Sequence, residues 1–594
     1  MADILREAPL GQIIYYLSKG KYFAYPEEGD GFECPKAYAD PDDLNTADDV
    51  EKPPTSPGPT HDPEKAELAV ADDLSRLPTA PDVEHVAEGE MARVRTLPFT
   101  EARLQMDKSL SIERTHSRSI LPQKTSDGVI LVDWYTTDDP ANPQNWSTLK
   151  KGFVAFQICI YTFAVYCSSA IYTSSEPGIM ARFNVDETEA ALGLALYVLG
   201  YGIGPLFFSP MSEVPRFGRN IPYVTSFTLF VIMAVPTALV DNYPGLMVLR
   251  FIQGFLGSSC LATGGASMQD MFNLIKLPYL MAAWVSFAYC GPALGPLISG
   301  FAVVAENWRW SLWEILWMSS PVLVLFYICL PETSSPNILL RRAERLRKKT
   351  GNKNLKSQSE IDQGNMKLSA VLWNAIIKPL EITIKDPAVA FTNLYTALTY
   401  GIYYSFFEVF PLVYPVYYGF NLGEMGLAFL CILVSCIIAL SSYIAYLYYY
   451  IEPDIMKNGL RVQEHRLVPA LFTVFGPTIG LFIFGWTARP SIHWIVSLIG
   501  ITIYGASVFI IMQCLFIYLP LSYPQYAASL FAGNDFFRSA LAFAAVLFAR
   551  PMYVNMGVAE GVSLLGGLSV IGIIGMYILY FFGAKLRAKS RFAI

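Results

Sequence analysis

Long apolar runs alternate with short polar breaks through the chain after residue 151. A membrane-spanning helix needs about 20 apolar residues. Twelve runs approach or exceed that length, at 153–175, 188–210, 221–240, 245–268, 278–303, 311–330, 388–415, 424–450, 467–487, 492–519, 526–549 and 561–583. Lipid offers no partners to backbone groups, and the two-residue alternation of a barrel is absent. The pattern therefore predicts an all-α membrane protein with twelve transmembrane helices.

The longest break between runs divides the twelve into six and six. It predicts four regions: an acidic, mostly disordered cytosolic segment at 1–130, a six-helix bundle at 131–330, a cytosolic linker at 331–387, and a second six-helix bundle with a short basic tail at 388–594. Two similar, pseudo-symmetric bundles are typical of transporters whose binding site lies between the halves.

Two segments outside the apolar runs carry predictions of their own. Residues 1–130 are rich in Pro, Asp, Glu and Ser, which predicts disorder except for an amphipathic turn or two at 13–17. The basic stretch 341–349 predicts an amphipathic helix. That helix lies either on the inner membrane surface or in solvent, where its charge only sets topology.

Charge placement predicts the orientation and excludes several classes of protein. With both termini in the cytosol, the cytosolic loops and flanks carry 23 Lys and Arg, and the outer loops carry 4. The net charge of −7 comes from the acidic segment, so no basic domain exists for nucleic acid. Nine Cys without CxxC pairs and five His indicate no metal site. The chain lacks both a Gly-Lys-Ser/Thr phosphate loop and a catalytic serine elbow, which indicates neither an ATP-driven pump nor an enzyme.

Four stretches in the first half and one in the linker carry a family resemblance. They are Gly204-Pro205 through Gly218-Arg219, Leu246-x3-Arg250-x2-Gln253-Gly254-x2-Gly257, Gly291-Pro292-Ala293-Leu294-Gly295-Pro296, Asn307-Trp308-Arg309-Trp310-Ser311-Leu312-Trp313-Glu314, and Pro331-Glu332-Thr333-Ser334-Ser335-Pro336. Together they resemble the signatures of the twelve-span drug:proton antiporters of the major facilitator superfamily, above all the fungal branch of benomyl and fluconazole exporters. The resemblance covers about residues 133–594. It departs from the family pattern at Glu213, which is five residues before Gly218, at Pro210 and at Phe287.

Candidate gating residues lie in two of these motifs. A charge cluster that latches the halves is predicted at the inner end of span two, and a kinked helix is predicted in span five. The residues are Glu213, Arg216, Gly218 and Arg219, with Asp270 as a partner for the arginines, and Gly291, Pro292, Gly295 and Pro296. If Glu213 caps the start of span eleven, helix-end electrostatics favours the outward-facing form. In the family the Gly-Pro element marks antiporters, which implies export; topology setting and simple close packing are the alternatives.

Candidate proton-coupling residues are the charges inside the apolar runs. The resemblance assigns proton coupling to Arg250, with Gln253 bonding beside it; since arginine stays charged, we expect it to act on a neighbouring carboxyl. Glu408 lies in an aromatic stripe and is either a proton carrier or a gate carboxylate. Asp535 is three residues from Arg538, and we expect the two to pair.

Candidate cavity residues follow from helix spacing. Tyr400, Tyr404 and Glu408 share one helix face, and such a stripe suits flat or cationic compounds. The full set is Gln157, Tyr161, Tyr400, Tyr404, Phe407, Gln513 and Phe516.

The sequence thus predicts a monomeric, multi-pass, proton-coupled exporter of lipophilic small molecules in a fungal plasma membrane. It works by alternating access, with a proton gradient and no cofactor. Within transporters the alternatives are an exporter of one endogenous metabolite or polyamine and, against the Gly-Pro element, an uptake symporter. From another class the alternative is a non-transporting membrane sensor whose acidic segment binds a partner.

Overall fold

The computed structural model describes residues 2–29, 31, 32, 38, 120, 122, 124, 128–363, 368–523 and 527–592. The protein is mostly helical. Eleven helices in the described residues are long and apolar enough to cross a membrane. The rest of the predicted disordered segment, including residues 39–119, lies outside the described residues.

Two short helices precede the membrane helices, and nine helices build the first half, residues 148–329. They are α1 (Ala2–Glu7), α2 (Pro9–Leu17), α3 (Thr148–Ala170), α4 (Glu176–Phe183), α5 (Glu187–Ile203), α6 (Pro205–Glu213), α7 (Asn220–Leu239), α8 (Tyr243–Gly257), α9 (Ser259–Met271), α10 (Leu277–Ala305) and α11 (Trp310–Cys329). A 3₁₀ segment at Ile171–Ser175 continues α3 into α4. The six apolar runs of the first half therefore correspond to six long helical segments, and several of these segments contain one break.

Three helices form the linker, and nine build the second half, residues 387–589. They are α12 (Ser335–Thr350), α13 (Gln358–Gln363), α14 (Leu368–Lys385), α15 (Pro387–Tyr418), α16 (Leu422–Ala428), α17 (Leu430–Tyr446), α18 (Glu452–Asn458), α19 (Val468–Thr473), α20 (Phe475–Thr487), α21 (Trp494–Ser522), α22 (Ala527–Met556) and α23 (Val558–Lys589). A π-helical segment, Leu447–Ile451, joins α17 to α18.

One predicted span, α15, is not among the eleven membrane-crossing candidates. It is a 32-residue helix, long enough to cross a bilayer. Its seven tyrosines, together with Asn393 and Glu408, make it less apolar than the others. Most of its side chains, including Asn393 and Glu408, are buried inside the protein rather than exposed.

Close backbone approach packs α10 against α3. A Cβ on Gly291 would lie 2.8 Å from the Cys167 nitrogen, and one on Gly295 would lie 2.8 Å from the Ile171 nitrogen. Both glycines therefore allow a contact that no larger residue fits. Pro292 and Pro296 lie inside the same helix.

The two halves meet along two seams. In one seam α5 packs against α22, so closely that a Cβ on Gly202 would lie 2.3 Å from the Ser539 Cβ. In the other, α10 packs against α16 and α17. The loops 214–219, 272–276 and 330–334 lie together at one end of the helices, which we call the linker end; the other end is the far end.

The linker helix α12 is not a fully solvated spacer, because its buried face packs on residues 130–139 and on the 3₁₀ turn Pro26–Glu28. Its place on the inner membrane surface stays a prediction. Two-residue strands β1 (Ile130–Leu131) and β2 (Leu355–Lys356) pair in parallel beside it. Residues 2–28 are therefore folded onto the linker, which corrects the prediction of disorder for that part of the segment.

Ion pairs explain why α12 turns one face inward. Arg342 pairs with Asp139 at 2.7 Å and with Glu27 at 3.4 Å, and Arg345 pairs with Glu27 at 3.3 Å. The Arg345 guanidinium also lies 3.8 Å from the centroid of the Tyr25 ring. The acidic charge of the N-terminal segment is thus matched in part by the basic charge of the linker.

Candidate functional site

A small cavity lies between the halves. Its volume is about 40 Å³, enough for a few water molecules and far below the 300 Å³ or more of a drug-sized pocket. Side chains from both halves line it: Tyr166, Leu261, Trp284, Val285 and Ala288 from the first, and Phe516, Phe531, Asn534, Asp535 and Arg538 from the second. This cavity is therefore too small to hold a drug-sized compound.

The predicted pairing of Asp535 with Arg538 is present, and the pair lies on the cavity wall. Arg538 also crosses to the first half, where its Nη2 donates to the Tyr166 hydroxyl at 3.1 Å. On its other side its guanidinium lies 4.6 Å from the centroid of the Tyr400 ring. One charged pair thus contacts aromatic side chains of both halves.

Tyrosine hydroxyls join the halves next to this pair. The Tyr201 hydroxyl on α5 is 2.5 Å from that of Tyr400 and donates to that of Tyr404 at 2.9 Å, both on α15. Tyr404 in turn lies 3.1 Å from the Ser169 hydroxyl on α3. We call Tyr201, Tyr400, Tyr404 and Ser169 the hydroxyl network.

Arg250 is held by neutral groups rather than by a carboxyl. Its guanidinium donates to the carbonyls of Ser168 at 3.1 Å and of Ser169 and Gly193 at 3.3 Å. It lies over the rings of Tyr172 and Tyr197, 4.8 and 4.4 Å from their centroids. No ion pair with Arg250 occurs among the described residues, which corrects the expectation of a neighbouring carboxyl.

Gln253 lies beside Arg250, as the motif suggested. Its Oε1 accepts from Arg250 at 3.5 Å, and its Nε2 has no hydrogen-bond partner in the described part of the chain. Because Arg250 binds the Ser169 carbonyl while the Ser169 hydroxyl meets Tyr404, a single residue of α3 contacts both Arg250 and the hydroxyl network.

Glu408 is buried four residues beyond Tyr404, toward the far end of α15, and its Oε1 has no hydrogen-bond partner among the described residues. Glu176, Glu187 and Arg550 form its electrostatic surroundings. Glu187 of the first half and Arg550 of the second pair at 2.5 Å. Glu408 is therefore a neighbour of the ion pair that joins the halves at the far end.

The other predicted cavity residues divide into two groups. Phe516 lines the cavity, and Gln513, one turn away, is buried with neither amide atom hydrogen-bonded within the described residues. Phe407 stacks on Phe429 at 5.0 Å within the second half. Gln157 and Tyr161, which were also predicted to line the cavity, are not among its lining residues.

Both misplaced residues lie inside the first half. Gln157 donates to the Cys329 carbonyl at 3.1 Å. Tyr161 donates to the Gly257 carbonyl at 3.0 Å and packs on Phe227, with ring centroids 4.2 Å apart. They face helices of their own half, which spacing along one helix could not reveal.

The hydrogen bonds and ion pairs of the charge cluster at the linker end lie within the first half and the linker segment that follows it, as far as the structure describes the chain. Arg219 pairs with Asp270 at 3.1 Å, the partner expected for it. Glu213 and Arg216 are exposed. Capping of α22 by Glu213 concerns the chain around residues 524–526, outside the described residues, and stays a prediction.

Glu332, a functional candidate that sequence reasoning missed, organises this cluster. Its carboxylate accepts from the backbone N–H groups of Arg219 and Asn220 at 2.9 and 3.1 Å, at the start of α7. Gly218 has φ +67°, and a Cβ there would lie 2.5 Å from Glu332 Oε2. The Pro331-Glu332-Thr333 motif was the available signal.

The ion pair that joins the halves at the linker end was also missed. Lys276, between α9 and α10, pairs with Glu452 of α18 at 2.6 Å, and the Tyr279 hydroxyl donates to the same carboxylate at 2.8 Å. With Glu187 and Arg550 at the far end, the halves are tied at both ends. Neither pair has a local sequence signal, because the partners lie more than 170 residues apart.

Comparisons with known proteins agree with this architecture. The family model described as Major Facilitator Superfamily matches residues 158–545. The MFS-type transporter pyvG of Aspergillus violaceofuscus is 45% identical over 472 residues, which is 80% of this chain and 87% of the relative. The cycloheximide resistance protein of Candida maltosa is 36% identical over 100% of both chains.

Solved structures share the fold at low sequence identity. The human organic anion transporter MFSD10 has a TM-score of 0.54 and 13% identity, over 72% of this chain and 99% of that one. The family match spans more than half of the chain, and its relatives are transporters. The chain therefore belongs to the Major Facilitator Superfamily and is a membrane transporter, not an enzyme.

Proposed function

We propose that this protein is a proton-coupled exporter of lipophilic small molecules. It crosses a fungal plasma membrane twelve times as a monomer of two six-helix bundles, with α15 as the seventh span and both termini in the cytosol. The cytosolic linker end carries the excess of Lys and Arg. The linker is residues 331–387, and the segment before residue 131 is cytosolic.

The observation that carries the proposal is the Asp535 and Arg538 pair at the seam between the halves. Arg538 contacts Tyr166 of one half and Tyr400 of the other. A proton on Asp535 cancels one charge of the pair, so Arg538 then relies on its aromatic contacts alone. The contact with Tyr166 exists only while the halves are closed, whereas Tyr400 lies in the same half as Arg538. Protonation therefore changes the relative free energies of closed and open states.

Alternating access follows from the ties at the two ends. The pair Lys276 and Glu452 must separate for the linker end to open, and the pair Glu187 and Arg550 must separate for the far end to open. The hydroxyl network lies between them and must break in either opened state. The proposal also assigns gating to Gly291, Pro292, Gly295 and Pro296. The two glycines let α10, a helix of the seam between the halves, pack closely on α3.

Substrate recognition is assigned to the cavity wall. Phe516 and Trp284 offer aromatic faces in the wall. Tyr400 lies next to the wall, against Arg538, and the unpaired amide of Gln513, one turn from Phe516, offers two N–H donors and a carbonyl acceptor. Opening one end enlarges the cavity to admit a compound. The name of the Candida maltosa relative makes cycloheximide the first compound to test.

The test uses purified protein in liposomes with an imposed pH gradient and radiolabelled cycloheximide. We expect gradient-driven accumulation by the wild type and loss of that accumulation in Asp535→Asn, with binding retained. Glu408→Gln tests the second carboxyl in the same assay. Glu306→Gln is the matched control, since Glu306 is exposed at the far end of α10.

Two results would overturn parts of the proposal. Equal movement of cycloheximide with and without the gradient would exclude proton coupling. Accumulation of a polyamine or an endogenous metabolite, with no movement of cycloheximide or other lipophilic compounds, would replace the substrate class.

A further inference from the structure

The N-terminal helix α2 presents its apolar side outward. Leu10, Ile13 and Leu17 recur at three- and four-residue spacing and are 41%, 45% and 80% exposed. Three and four residues bring side chains to the same face of a helix. Tyr16, next to this face, is 67% exposed. We call Leu10, Ile13, Tyr16 and Leu17 the outer face of α2.

The opposite side of α2 is its polar side, and it is the side that packs on the protein. Gln12 donates to the Tyr25 hydroxyl at 2.6 Å, and its Oε1 accepts from Arg341 of the linker helix at 3.4 Å. Tyr15 donates to Glu28, and Gly11 is buried. A helix that docks on a protein in water packs its apolar face inward, so this arrangement is inverted.

The position of α2 explains the inversion. Both α1 and α2 pack against α11, a membrane-crossing helix. In the last two turns of α11, Val324 and Ile328 are 57% and 37% exposed, as lipid-facing residues are. The contact with Arg341 places α2 at the linker end, where α11 leaves the membrane. The outer face thus continues the lipid-facing surface of the bundle.

Charge at the end of α2 fits a lipid headgroup layer. Lys19 and Lys21 follow the helix and are exposed. Basic residues next to an amphipathic helix attract anionic lipid headgroups. A membrane thus buries the exposed leucines in its apolar layer and offers anionic headgroups to the exposed lysines, whereas an uncharged protein groove would bury only the leucines.

We propose that α2 is an interfacial anchor whose outer face inserts into the lipid leaflet at the linker end, holding the N-terminal segment and the linker helix against the membrane. The anchor does not depend on what the protein transports. In this proposal the outer face contacts phospholipid, and neither residues 39–119 of this chain nor a partner protein covers it.

The test places a fluorophore on the outer face of the full-length protein in vesicles. Leu17→Cys is labelled with a small environment-sensitive dye, and the wild type measures the background from native cysteines. Lipids that carry a quencher on the acyl chain are compared with lipids that carry none. Lys353→Cys, at an exposed loop beyond the linker helix, is the matched control.

We expect several-fold stronger quenching at position 17 than at position 353. Quenching at position 17 should fall to the control level when Leu10→Asp is added, and should weaken when phosphatidylserine is replaced by phosphatidylcholine. Equal, weak quenching at both positions would overturn the anchor, as would full quenching in the presence of Leu10→Asp. A label shielded from both lipid and water would assign the face to a protein occupant and overturn the proposal as well.

Discussion

The hydroxyl oxygens of Tyr201 and Tyr400 lie 2.5 Å apart and come from different halves of the protein. This bond, together with that from Tyr201 to Tyr404, exists only while the two halves are in contact. The hydroxyl network therefore acts on the balance between closed and open states more than on the stability of either half.

Tyr201→Phe should shift that balance. The Tyr201 hydroxyl makes two of these hydrogen bonds, each worth about 0.5–1.5 kcal/mol net, so we expect the ratio of closed to open states to fall roughly five- to 150-fold. Cysteine accessibility of the cavity should rise, and the transport rate should change. Tyr327→Phe is the control, because the Tyr327 hydroxyl bonds Thr228 within one half. Equal effects of both substitutions would contradict the assignment.

Arg250→Lys should abolish transport although it keeps the charge. The guanidinium serves three carbonyls and stacks on two tyrosine rings. A lysine ammonium cannot reproduce that planar arrangement. We expect a transport rate at least about tenfold lower, measured in liposomes at equal protein content. Arg182→Lys at the exposed far end should retain full activity; a comparable loss there would show a general effect of the exchange.

Gln513→Met should separate stability from transport. The buried amide of Gln513 has no partner in the described residues, and an unsatisfied buried group costs about 1–3 kcal/mol. We expect the substitution to raise the thermal unfolding temperature and to weaken cycloheximide binding. Gln157→Met should raise the unfolding temperature less, because it removes the unpaired Gln157 Oε1 but also breaks the bond that Gln157 donates to the Cys329 carbonyl. Unchanged cycloheximide binding in Gln513→Met would remove Gln513 from the substrate site.

Gly218→Ala should destabilise the protein more than Gly351→Ala does. Both glycines have positive φ, +67° and +72°, which costs about 1–2 kcal/mol for alanine. Only at Gly218 does the new Cβ meet the Glu332 carboxylate, at 2.5 Å. Displacing that carboxylate from the start of α7 costs about 1.5–3 kcal/mol more. Thermal unfolding of the two variants measures the difference in stability. Equal decreases in unfolding temperature would show that the Glu332 side chain moves away from the new Cβ without a cost in stability.

Acid should release residues 130–139 from the linker helix. Burial by itself raises the pKa of Asp139, but hydrogen bonding and the charge of Arg342, with backbone donors from Ala141 and Tyr135, hold that pKa below its ordinary value of 3.8. A lowered folded pKa stabilises the contact above the ordinary value and loses that stabilisation as the pH falls through the folded value. Amide protection of residues 130–139 should therefore hold down to about pH 4 and fall below it.

Asp139→Asn provides the control for this acid step. The amide does not titrate in this range, so protection should be lower at neutral pH and should not fall further with acid through this group. An acid transition of unchanged size in the variant would assign the step to another carboxylate, with Glu27 next to be replaced because it also pairs with Arg342.

The sequence predicted the elements whose signal is local. Apolar run length located the membrane helices, and the motif around Arg250 marked a residue that is fully buried. The partners of Arg219 and Arg538 followed from position and spacing. These features need only neighbours along one helix or a known loop.

Features that depend on the contact between distant segments were not predictable in this way. Tyr161 and Tyr404 look alike on a helical wheel, yet one faces its own half and the other faces the seam. The inter-half pairs Lys276 with Glu452 and Glu187 with Arg550 have no local pattern. The folding of residues 2–28 depends on the linker helix, which lies some 320 residues away in the chain.

The parallel pairing of β1 with β2 shortens the effective connection between the halves. Strand β1 precedes the first membrane helix and β2 follows the linker helix, so residues 130–356 close on themselves as one unit. Only residues 357–386 remain to join that unit to α15. A break in the chain at 364–367 would leave each fragment with all of its own membrane helices, and two such fragments produced together should reassemble into a working transporter.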